Sequence, residues 1–305
     1  MRPQVLYVGG TGRSGSTVLV SLLGHYEGFL PVGELRYLWD RGIRQNQLCG
    51  CRLPFRSCPF WVAVITDAFG GFDAVDRLDT SAWADSLDRV RFIPLLAVSR
   101  LRSSRFQAAL DDYGDAITRL VRSILSVSGA RVVIDSSKDP SWAFLLDALG
   151  AFDLSVLHLV RDSRAVAYSW TRSRVRPEVH WTVEYMKRRS PLRTAFTWDA
   201  NHVLFEALGR RSQRRYLRLR YEDFVRRPDD TIAAVVALPD PLVPENRSDD
   251  GWNHSISGNP VRFDPRPLQI TLDDEWETNL APEDRRLVTM VTAPLLKRYG
   301  YLGSR

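Results

Sequence analysis

Short apolar runs alternate with longer amphipathic stretches along this chain. Five runs have the length of strands: residues 4–9, 29–34, 131–135, 154–160 and 216–220. The third and fourth runs are almost continuously apolar, which is typical of strands buried on both faces of a parallel sheet. Other stretches place apolar residues at helical spacing, among them residues 15–24, 111–127 and 282–299. This alternation predicts an α/β fold, in which helices flank both faces of a parallel sheet.

A long helical region separates the second and third predicted strands. It covers residues 62–130 and is expected to be a helical insert in the α/β fold. The whole chain, residues 1–305, is long enough for one large domain that includes such an insert. We therefore predict a single domain.

A glycine-rich segment, residues 9–17, joins the first predicted strand to the first predicted helix. Its glycines permit the positive φ angles that turn several N–H groups toward one anion, and the helix N-terminus adds partial positive charge. Ser16 stands where nucleoside triphosphate loops carry a lysine, and a basic side chain comes earlier, at Arg13. The segment predicts a P-loop-type site for an anion shorter than a triphosphate, and it argues against an ordinary ATP or GTP enzyme. A βα turn without a ligand is the alternative.

Charged and hydroxyl side chains follow the other predicted strands. Glu34 ends the second run and Lys138 follows the third. Arg161 follows the fourth run, and Ser169 comes one helical stretch later. Because ligands of parallel sheets bind at the carboxyl ends of the strands, we expect these groups to converge with the glycine-rich loop. Cations beside one carboxylate suit the transfer of a charged group to a hydroxyl that loses its proton.

Each of these side chains also has a purely structural interpretation. Glu34 can pair with Arg36, and Arg161 can pair with Asp162 at the start of a helix. Lys138 can be a solvated turn lysine. The five histidines do not end predicted strands in these motifs, so a histidine base is less favoured than a carboxylate.

Composition and charge limit the possible partners. The net charge is +6, and nearly all cations are arginines that lie scattered along the chain. A basic balance suits anionic ligands, but no basic tail or aromatic-interleaved stripe supports nucleic-acid binding. No apolar run is long enough to span a bilayer, and a strand begins almost at the N-terminus, so we expect a cytoplasmic protein without stable membrane insertion.

All three cysteines, Cys49, Cys51 and Cys58, lie in one short segment rich in proline and aromatic residues. A zinc site needs a fourth ligand, and none is found nearby at a familiar spacing. A disulfide from Cys58 to Cys49 or Cys51 is disfavoured in a reducing cytoplasm. Free thiols or a local disulfide are therefore the favoured interpretations, with zinc as the lesser one.

Several stretches of this chain, taken together with their order along the sequence, resemble the P-loop sulfotransferase family. This family uses 3′-phosphoadenosine 5′-phosphosulfate (PAPS). Residues 12–17 resemble its 5′-phosphosulfate loop, and residues 159–169 resemble its 3′-phosphate motif. Residues 33–36 are similar to the Gly-Glu-x-x-Arg region of the tyrosylprotein type, although the arginine comes one place earlier here. Residues 137–140 resemble that type's Lys-Asp-Pro stretch, and residues 220–224 are also family-like. The catalytic histidine of the cytosolic type and its Arg-Lys-Gly-x-x-Gly-Asp-Trp motif are not visible.

The resemblance implies transfer of a sulfuryl group from PAPS to an acceptor hydroxyl, leaving 3′,5′-adenosine bisphosphate and requiring no metal. Glu34 is then the general base, while Lys138 and Arg13 stabilise charge at the sulfuryl group. The implied cofactor contacts are Gly12, Arg13, Ser14, Gly15, Ser16 and Thr17 at the 5′-phosphosulfate, Arg161 and Ser169 at the 3′-phosphate, and Ser257, Gly258 and Asn259 in a segment that closes over the nucleotide.

The acceptor stays open between a small alcohol, a phenol, a sugar and a peptide tyrosine, and a small-molecule or carbohydrate acceptor is the expected partner. Residues 62–130 and 170–198 are expected to form its pocket. Two rival hypotheses remain. One is a P-loop kinase with an atypical loop, and the other is a non-catalytic protein that binds nucleotides or nucleic acid.

Overall fold

The computed structural model describes residues 2–211, 215–239, 253–264 and 270–303. Within them, five parallel strands form one sheet: β1 (Gln4–Gly10), β2 (Phe29–Gly33), β3 (Val132–Lys138), β4 (Asp153–Val160) and β5 (Tyr216–Arg220). Their order across the sheet is β2-β3-β1-β4-β5. The predicted α/β class with a parallel sheet flanked by helices is confirmed.

Helices fill the connections between these strands. The α-helices of the described chain are α1 (Ser16–Leu23), α2 (Pro59–Phe69), α3 (Phe72–Val75), α4 (Thr80–Leu87), α5 (Ile93–Ala97), α6 (Ser104–Ser128), α7 (Pro140–Leu149), α8 (Ser163–Thr171), α9 (Pro191–Arg211), α10 (Tyr221–Arg226), α11 (Pro228–Val236), α12 (Trp276–Asn279) and α13 (Pro282–Arg298). Helices α2 to α6 lie between β2 and β3, where the sequence predicts the helical insert. None of the helices in the described ranges is long and apolar enough to cross a membrane.

Two apolar cores cover the two faces of the sheet, because successive side chains of a strand point to opposite sides. In β1, Val5 and Tyr7 belong to the larger core, which also contains residues of α2, α6, α7 and α9. Leu6 and Val8 belong to the other core, together with residues of α1, α10 and α11. Both faces of β1 are therefore buried.

The strand order brings separate parts of the chain to one edge of the sheet. β1 lies between β3 and β4 and pairs in parallel with both. The carboxyl ends of these three strands therefore lie side by side, and β2 joins them through its parallel pairing with β3. At this edge the chain leaves the strands through the glycine-rich loop and through residues 34, 138 and 161.

Candidate active site

A cavity of about 530 Å³ opens at the carboxyl edge of the sheet. This volume lies in the range of small-molecule sites. Its walls come from the β1–α1 loop, the ends of β2 and β3, helices α8 and α9, residues 176–189 and residues 258–261. Within the described chain it contains Gly12, Arg13, Gly15, Ser16, Thr17, Glu34, Lys138, Gly258 and Asn259 among its lining residues. Nine of the predicted site residues thus share one cavity.

The β1–α1 loop has the backbone conformation that an anion cradle needs. Gly15 is the N-cap of α1 and has a φ of 82°. A Cβ atom at this position would collide with the Tyr221 ring, so both conformation and space require glycine. The turn leaves the N-terminal amides of α1 facing the cavity edge, where an anion is favoured.

Polar atoms of this loop are buried without a protein partner. They are Thr11 Oγ1, Ser14 Oγ and the Nε atom of Arg13. Buried polar groups in folded proteins are normally hydrogen-bonded, so these atoms leave unused hydrogen-bonding capacity around the loop. Donors of this kind fit an anionic ligand such as phosphate or sulfate.

Arg13 lies among other arginines. Burial and the neighbouring charges of Arg174 and Arg189 lower the pKa of Arg13 to about 10. Arg13 and Arg189 both lie over the Trp170 ring, with guanidinium carbons 5.0 and 4.1 Å from its centroid. Arg13 remains charged at neutral pH, and the concentration of like charge favours a bound anion.

Glu34 and Lys138 form an ion pair in the wall of the cavity. Lys138 Nζ lies 2.7 Å from Glu34 Oε1 and also donates to the Ser136 carbonyl at 2.6 Å. Glu34 is the first residue after β2, and Lys138 is the last residue of β3. Because β2 and β3 are neighbours in the sheet, residues 104 apart in sequence meet here.

The surroundings of Glu34 favour its ionised form. Burial works in the opposite direction, but the charges of Lys138 and Arg41 and hydrogen bonds from Lys138 and Ser257 outweigh it and lower the pKa of Glu34. Ser257 Oγ donates to Glu34 Oε2 at 2.9 Å, and Arg41 Nη1 lies 3.8 Å from the same oxygen. Glu34 is therefore a carboxylate, a proton acceptor held in a fixed orientation.

Asp135, which the sequence analysis did not select, connects the ends of β2 and β3. Its Oδ1 accepts hydrogen bonds from the backbone N–H groups of Leu35 at 3.3 Å and Ser137 at 2.9 Å, and Trp142 Nε1 donates to Oδ2 at 2.7 Å. Burial raises the pKa of Asp135 to about 6, although these hydrogen bonds oppose the shift. Asp135 thus fixes the backbone next to both Glu34 and Lys138. The signal available in the sequence was a carboxylate that ends an apolar strand.

Arg161 lies beneath the glycine-rich loop. Its Nη1 donates to the Arg13 carbonyl at 3.0 Å, its Nη2 lies 3.0 Å from Asp273 Oδ2, and its Nε is buried without a partner. Ser169 is buried in α8. In the part of the chain that the structure describes, Arg161, Ser169 and Ser257 do not belong to the residues that line the cavity. Ser14 is also fully buried and is not among the described residues that line the cavity.

The sequence suggests two structural ion pairs, Glu34 with Arg36 and Arg161 with Asp162. In the described structure Arg36 and Asp162 pair with other residues. Arg36 pairs with Asp88 at 2.5 Å and with Asp139 at 3.1 Å, whereas the cations beside Glu34 in the described structure are Lys138 and Arg41. Asp162 pairs with Arg164 at 2.6 Å and caps α8.

The segment that carries residues 257–259 returns to β2 from far along the chain. Ile256 forms a parallel bridge with Gly33, its N–H donates to the Val32 carbonyl, and its carbonyl accepts from the Glu34 N–H. This contact directs Ser257 toward Glu34, whereas Gly258 and Asn259 reach the cavity. A Cβ atom at Gly33 would collide with Ile256, so the close approach requires glycine.

The outer part of the cavity combines aromatic and charged side chains. It includes Tyr37, Trp170, Arg176, Glu184, Tyr185 and Met186. Residues 62–130, the insert expected to help form the acceptor pocket, contribute Val90 to the described lining of the cavity. The stretch between α8 and α9 therefore contributes Arg176, Glu184, Tyr185 and Met186 to the lining.

Comparisons with known proteins agree with this architecture. Residues 4–239 match the sulfotransferase family. The sulfotransferase domain from the curacin biosynthetic pathway is 19% identical, with a TM-score of 0.50 over 96% of this chain and 97% of that domain. The sulfotransferase domain of the Synechococcus PCC 7002 olefin synthase is 20% identical, with a TM-score of 0.47 over 95% and 94% of the two chains.

A third solved structure, the sulfotransferase STF9 from Mycobacterium avium, is 15% identical, with a TM-score of 0.46 over 97% of this chain and 76% of that protein. No curated protein matches the chain. At 19% identity and a TM-score of 0.50, the likeness to the curacin-pathway domain concerns the fold alone.

Proposed function

This chain belongs to the sulfotransferase family, and we propose that it transfers a sulfuryl group from PAPS to the hydroxyl of a small-molecule or carbohydrate acceptor. One observation carries the proposal. The Glu34–Lys138 pair and the glycine-rich loop, with its unpaired buried donors, belong to the same site at the edge of the sheet. A proton acceptor and an anion cradle in one cavity are what sulfuryl transfer to a hydroxyl requires.

The residues of the site fit an anionic donor. The unpaired atoms Thr11 Oγ1, Ser14 Oγ and Arg13 Nε are hydrogen-bonding groups without protein partners, and the surrounding arginines add positive charge. When bound, PAPS would supply the sulfuryl group on a phosphate leaving group. In this proposal the amides of residues 12–17 and the hydroxyls of Ser16 and Thr17 hold the 5′-phosphosulfate, and Arg13 stabilises its negative charge.

Glu34 is proposed to remove the proton of the acceptor hydroxyl. In the ligand-free geometry Lys138 donates to Glu34 and lowers its basicity. An anionic group beside Lys138 competes for its charge, so the pKa of Glu34 then rises toward the range that suits a general base. Lys138 has a second role in the proposal, the stabilisation of negative charge on the sulfuryl oxygens.

Arg161 and Ser169 are proposed to hold the 3′-phosphate. Arg161 is charged, buried and has an unpaired Nε, although Asp273 occupies its Nη2. The Asp273 side chain is about one third exposed, so a phosphate can replace it with little loss of buried contact. Gly258 and Asn259 lie in the cavity wall and are proposed to cover the nucleotide, while Ser257 orients Glu34.

Calorimetric titration of 3′,5′-adenosine bisphosphate tests the donor assignment. We expect metal-independent binding with micromolar affinity and much weaker binding of ADP or of ATP with magnesium. Ser16→Ala removes a hydroxyl from the start of α1 and should weaken the bisphosphate about tenfold, the loss of one hydrogen bond to a charged group.

Ser21→Ala is the matched control for this titration. It removes a hydroxyl from the same helix that donates to the Thr17 carbonyl instead of facing the cavity, so affinity should stay unchanged. Preference for ATP with magnesium would overturn the proposal and indicate a kinase.

A further inference from the structure

The three cysteines and one histidine form a compact cluster away from the catalytic cavity. Cys49, Cys51, Cys58 and His254 each direct one potential ligand atom to a common centre, and these atoms all lie within 4.8 Å of one another. The three thiols are not disulfide-bonded. The sequence near the cysteines offers no fourth ligand at a familiar spacing, and the fold brings one in from a distance, His254, which is 196 residues beyond Cys58.

Three of the six distances within the cluster are close to those of a tetrahedral metal site. With zinc–sulfur bonds of about 2.3 Å and zinc–nitrogen bonds of about 2.0 Å, tetrahedral geometry separates two sulfurs by about 3.8 Å and a sulfur from a nitrogen by about 3.5 Å. The Cys51 and Cys58 sulfurs lie 3.6 Å apart. His254 Nδ1 lies 3.2 Å from the Cys58 sulfur and 3.8 Å from the Cys49 sulfur.

The backbone and neighbouring side chains hold these ligands in place. Trp61 Nε1 donates to the His254 carbonyl at 2.8 Å, and the Phe60 ring stacks on the His254 imidazole with centroids 4.9 Å apart. In the cysteine loop, the Cys49 N–H donates to the Leu53 carbonyl and its carbonyl accepts from the Arg52 N–H. Cys49 and Cys58 are almost completely buried. Outer interactions of this kind orient metal ligands.

We propose that Cys49, Cys51, Cys58 and His254 bind one structural zinc ion. All four positions of the tetrahedron are filled by protein side chains, which is the arrangement of a structural rather than a catalytic zinc site. Zinc binds the cysteines as thiolates, so its binding releases the thiol protons to solvent. The inference does not depend on the proposed function.

The ion would join two segments that are far apart in sequence. One is the loop of residues 49–58, and the other is the stretch from His254 to Asn259, which reaches Glu34 and the cavity. The two segments also meet through the Gly50 N–H, which donates to the Ser255 carbonyl. Three residues beyond His254, Ser257 donates to Glu34. Zinc thus fixes the position of the segment that orients the proposed base.

Metal analysis of the purified full-length chain tests the proposal. Inductively coupled plasma mass spectrometry should find about one zinc per chain. Cys58→Ser and His254→Ala each remove one ligand and should lose most of this zinc. His180→Ala is the matched control, because His180 is an exposed imidazole near the Asn46 carbonyl and should leave the zinc content unchanged.

X-ray absorption at the zinc edge of the wild-type protein keeps the test decisive if the variants do not fold. It should show three sulfur ligands at about 2.3 Å and one nitrogen at about 2.0 Å. Any one of three results would overturn the proposal. The first is wild-type protein that lacks zinc although it comes from zinc-supplemented cells. The others are an intact mass that reveals a disulfide and zinc retained by both folded variants.

Discussion

At the scale of single residues, the proposed chemistry of the site centres on Glu34. It is 8% exposed and has hydrogen-bonding partners at both carboxylate oxygens. Three non-glycine residues of the site, Arg13, Lys138 and Ser257, have φ angles of 74°, 65° and 58°. Such left-handed conformations are uncommon for non-glycine residues and concentrate at functional sites, where the surrounding structure holds them.

Glu34→Gln keeps the shape of the side chain and removes its ability to accept a proton. We expect sulfuryl transfer to fall about 10²- to 10⁴-fold, the usual loss on removal of a general base. The rate is measured by chromatography as bisphosphate released from PAPS in the presence of a panel of alcohols, phenols and sugars.

Two controls accompany the Glu34 substitution. Bisphosphate affinity should be retained, since the loop that is proposed to hold the phosphosulfate is untouched. Asp40→Asn removes an exposed carboxylate that pairs with Arg44 and should keep full activity. Near-normal turnover of Glu34→Gln would show that Glu34 is not the base.

Arg161→Ala should weaken the affinity for 3′,5′-adenosine bisphosphate about 10- to 100-fold. The substitution removes the proposed charged donor to the 3′-phosphate and the bond to the Arg13 carbonyl that supports the loop. The affinity is measured by calorimetry at constant ionic strength.

Arg164→Ala serves as the comparison for Arg161. It removes a neighbouring arginine that pairs with Asp162, so affinity should change little even if the protein loses stability. Equal affinities of the Arg161 variant and the wild type would refute the role of Arg161 at the 3′-phosphate.

At the scale of elements, a buried polar chain joins β4, α9 and β5. His158 in β4 is hydrogen-bonded to His202 of α9 and to the Tyr216 hydroxyl of β5, each at 2.6 Å. Burial lowers the pKa of His158 well below its usual value and lowers the pKa of His202 to about 3. Both imidazoles are therefore neutral where these elements pack behind the site.

The free energy of unfolding should fall on acidification because of these histidines. An unfolded histidine binds a proton below about pH 6.5, whereas His202 stays neutral in the folded protein down to about pH 3. The stabilisation is thus complete above pH 6.5 and is lost as the pH falls toward 3. His202 alone contributes a loss of about 2 kcal/mol between pH 7 and pH 5.

Urea unfolding at several pH values measures this dependence. His202→Gln should reduce the slope between pH 7 and pH 5, while His180→Gln, which removes an exposed histidine, should leave it as in the wild type. An unchanged slope in the His202 variant would mean that His202 binds its proton equally well in the folded and the unfolded protein, so that its pKa is not lowered by folding.

At the scale of the whole molecule, the site is assembled from distant parts of one chain. The loop after β1, the ends of β2 and β3, and the segment around Ile256 meet at one edge of the sheet. A ligand bound there contacts several of these parts at once, and it binds only the folded chain. Its binding free energy therefore adds to the stability of the whole fold.

The bisphosphate should raise the melting temperature of the protein. At about 100 times its dissociation constant, mass action adds about 2.7 kcal/mol, which corresponds to roughly 5 °C for a chain of this size. Differential scanning calorimetry measures the shift. Adenosine, which lacks both phosphates, should give little shift, and equal effects of the two ligands would argue against an anion site.

Much of the fold can be predicted from local sequence patterns. The run at residues 216–220 coincides with β5, and the helical pattern at 282–299 is α13, which ends one residue earlier. Glu34, Lys138 and the β1–α1 loop are found at the strand ends because a parallel sheet places its connections there. The roles of these residues remain proposals, whereas their meeting at one edge follows from the topology.

The sequence by itself determined the α/β class, the glycine-rich loop and the polar residues at the strand ends, because periodicity and turn chemistry act over a few neighbouring residues. Only the tertiary structure decided that Ser257 reaches Glu34 across 223 residues and that His254 completes the cysteine cluster. It also decided that Asp135 holds the ends of both β2 and β3. Such contacts depend on the order of the strands and on the path of the returning segment, which the packing of the whole chain sets.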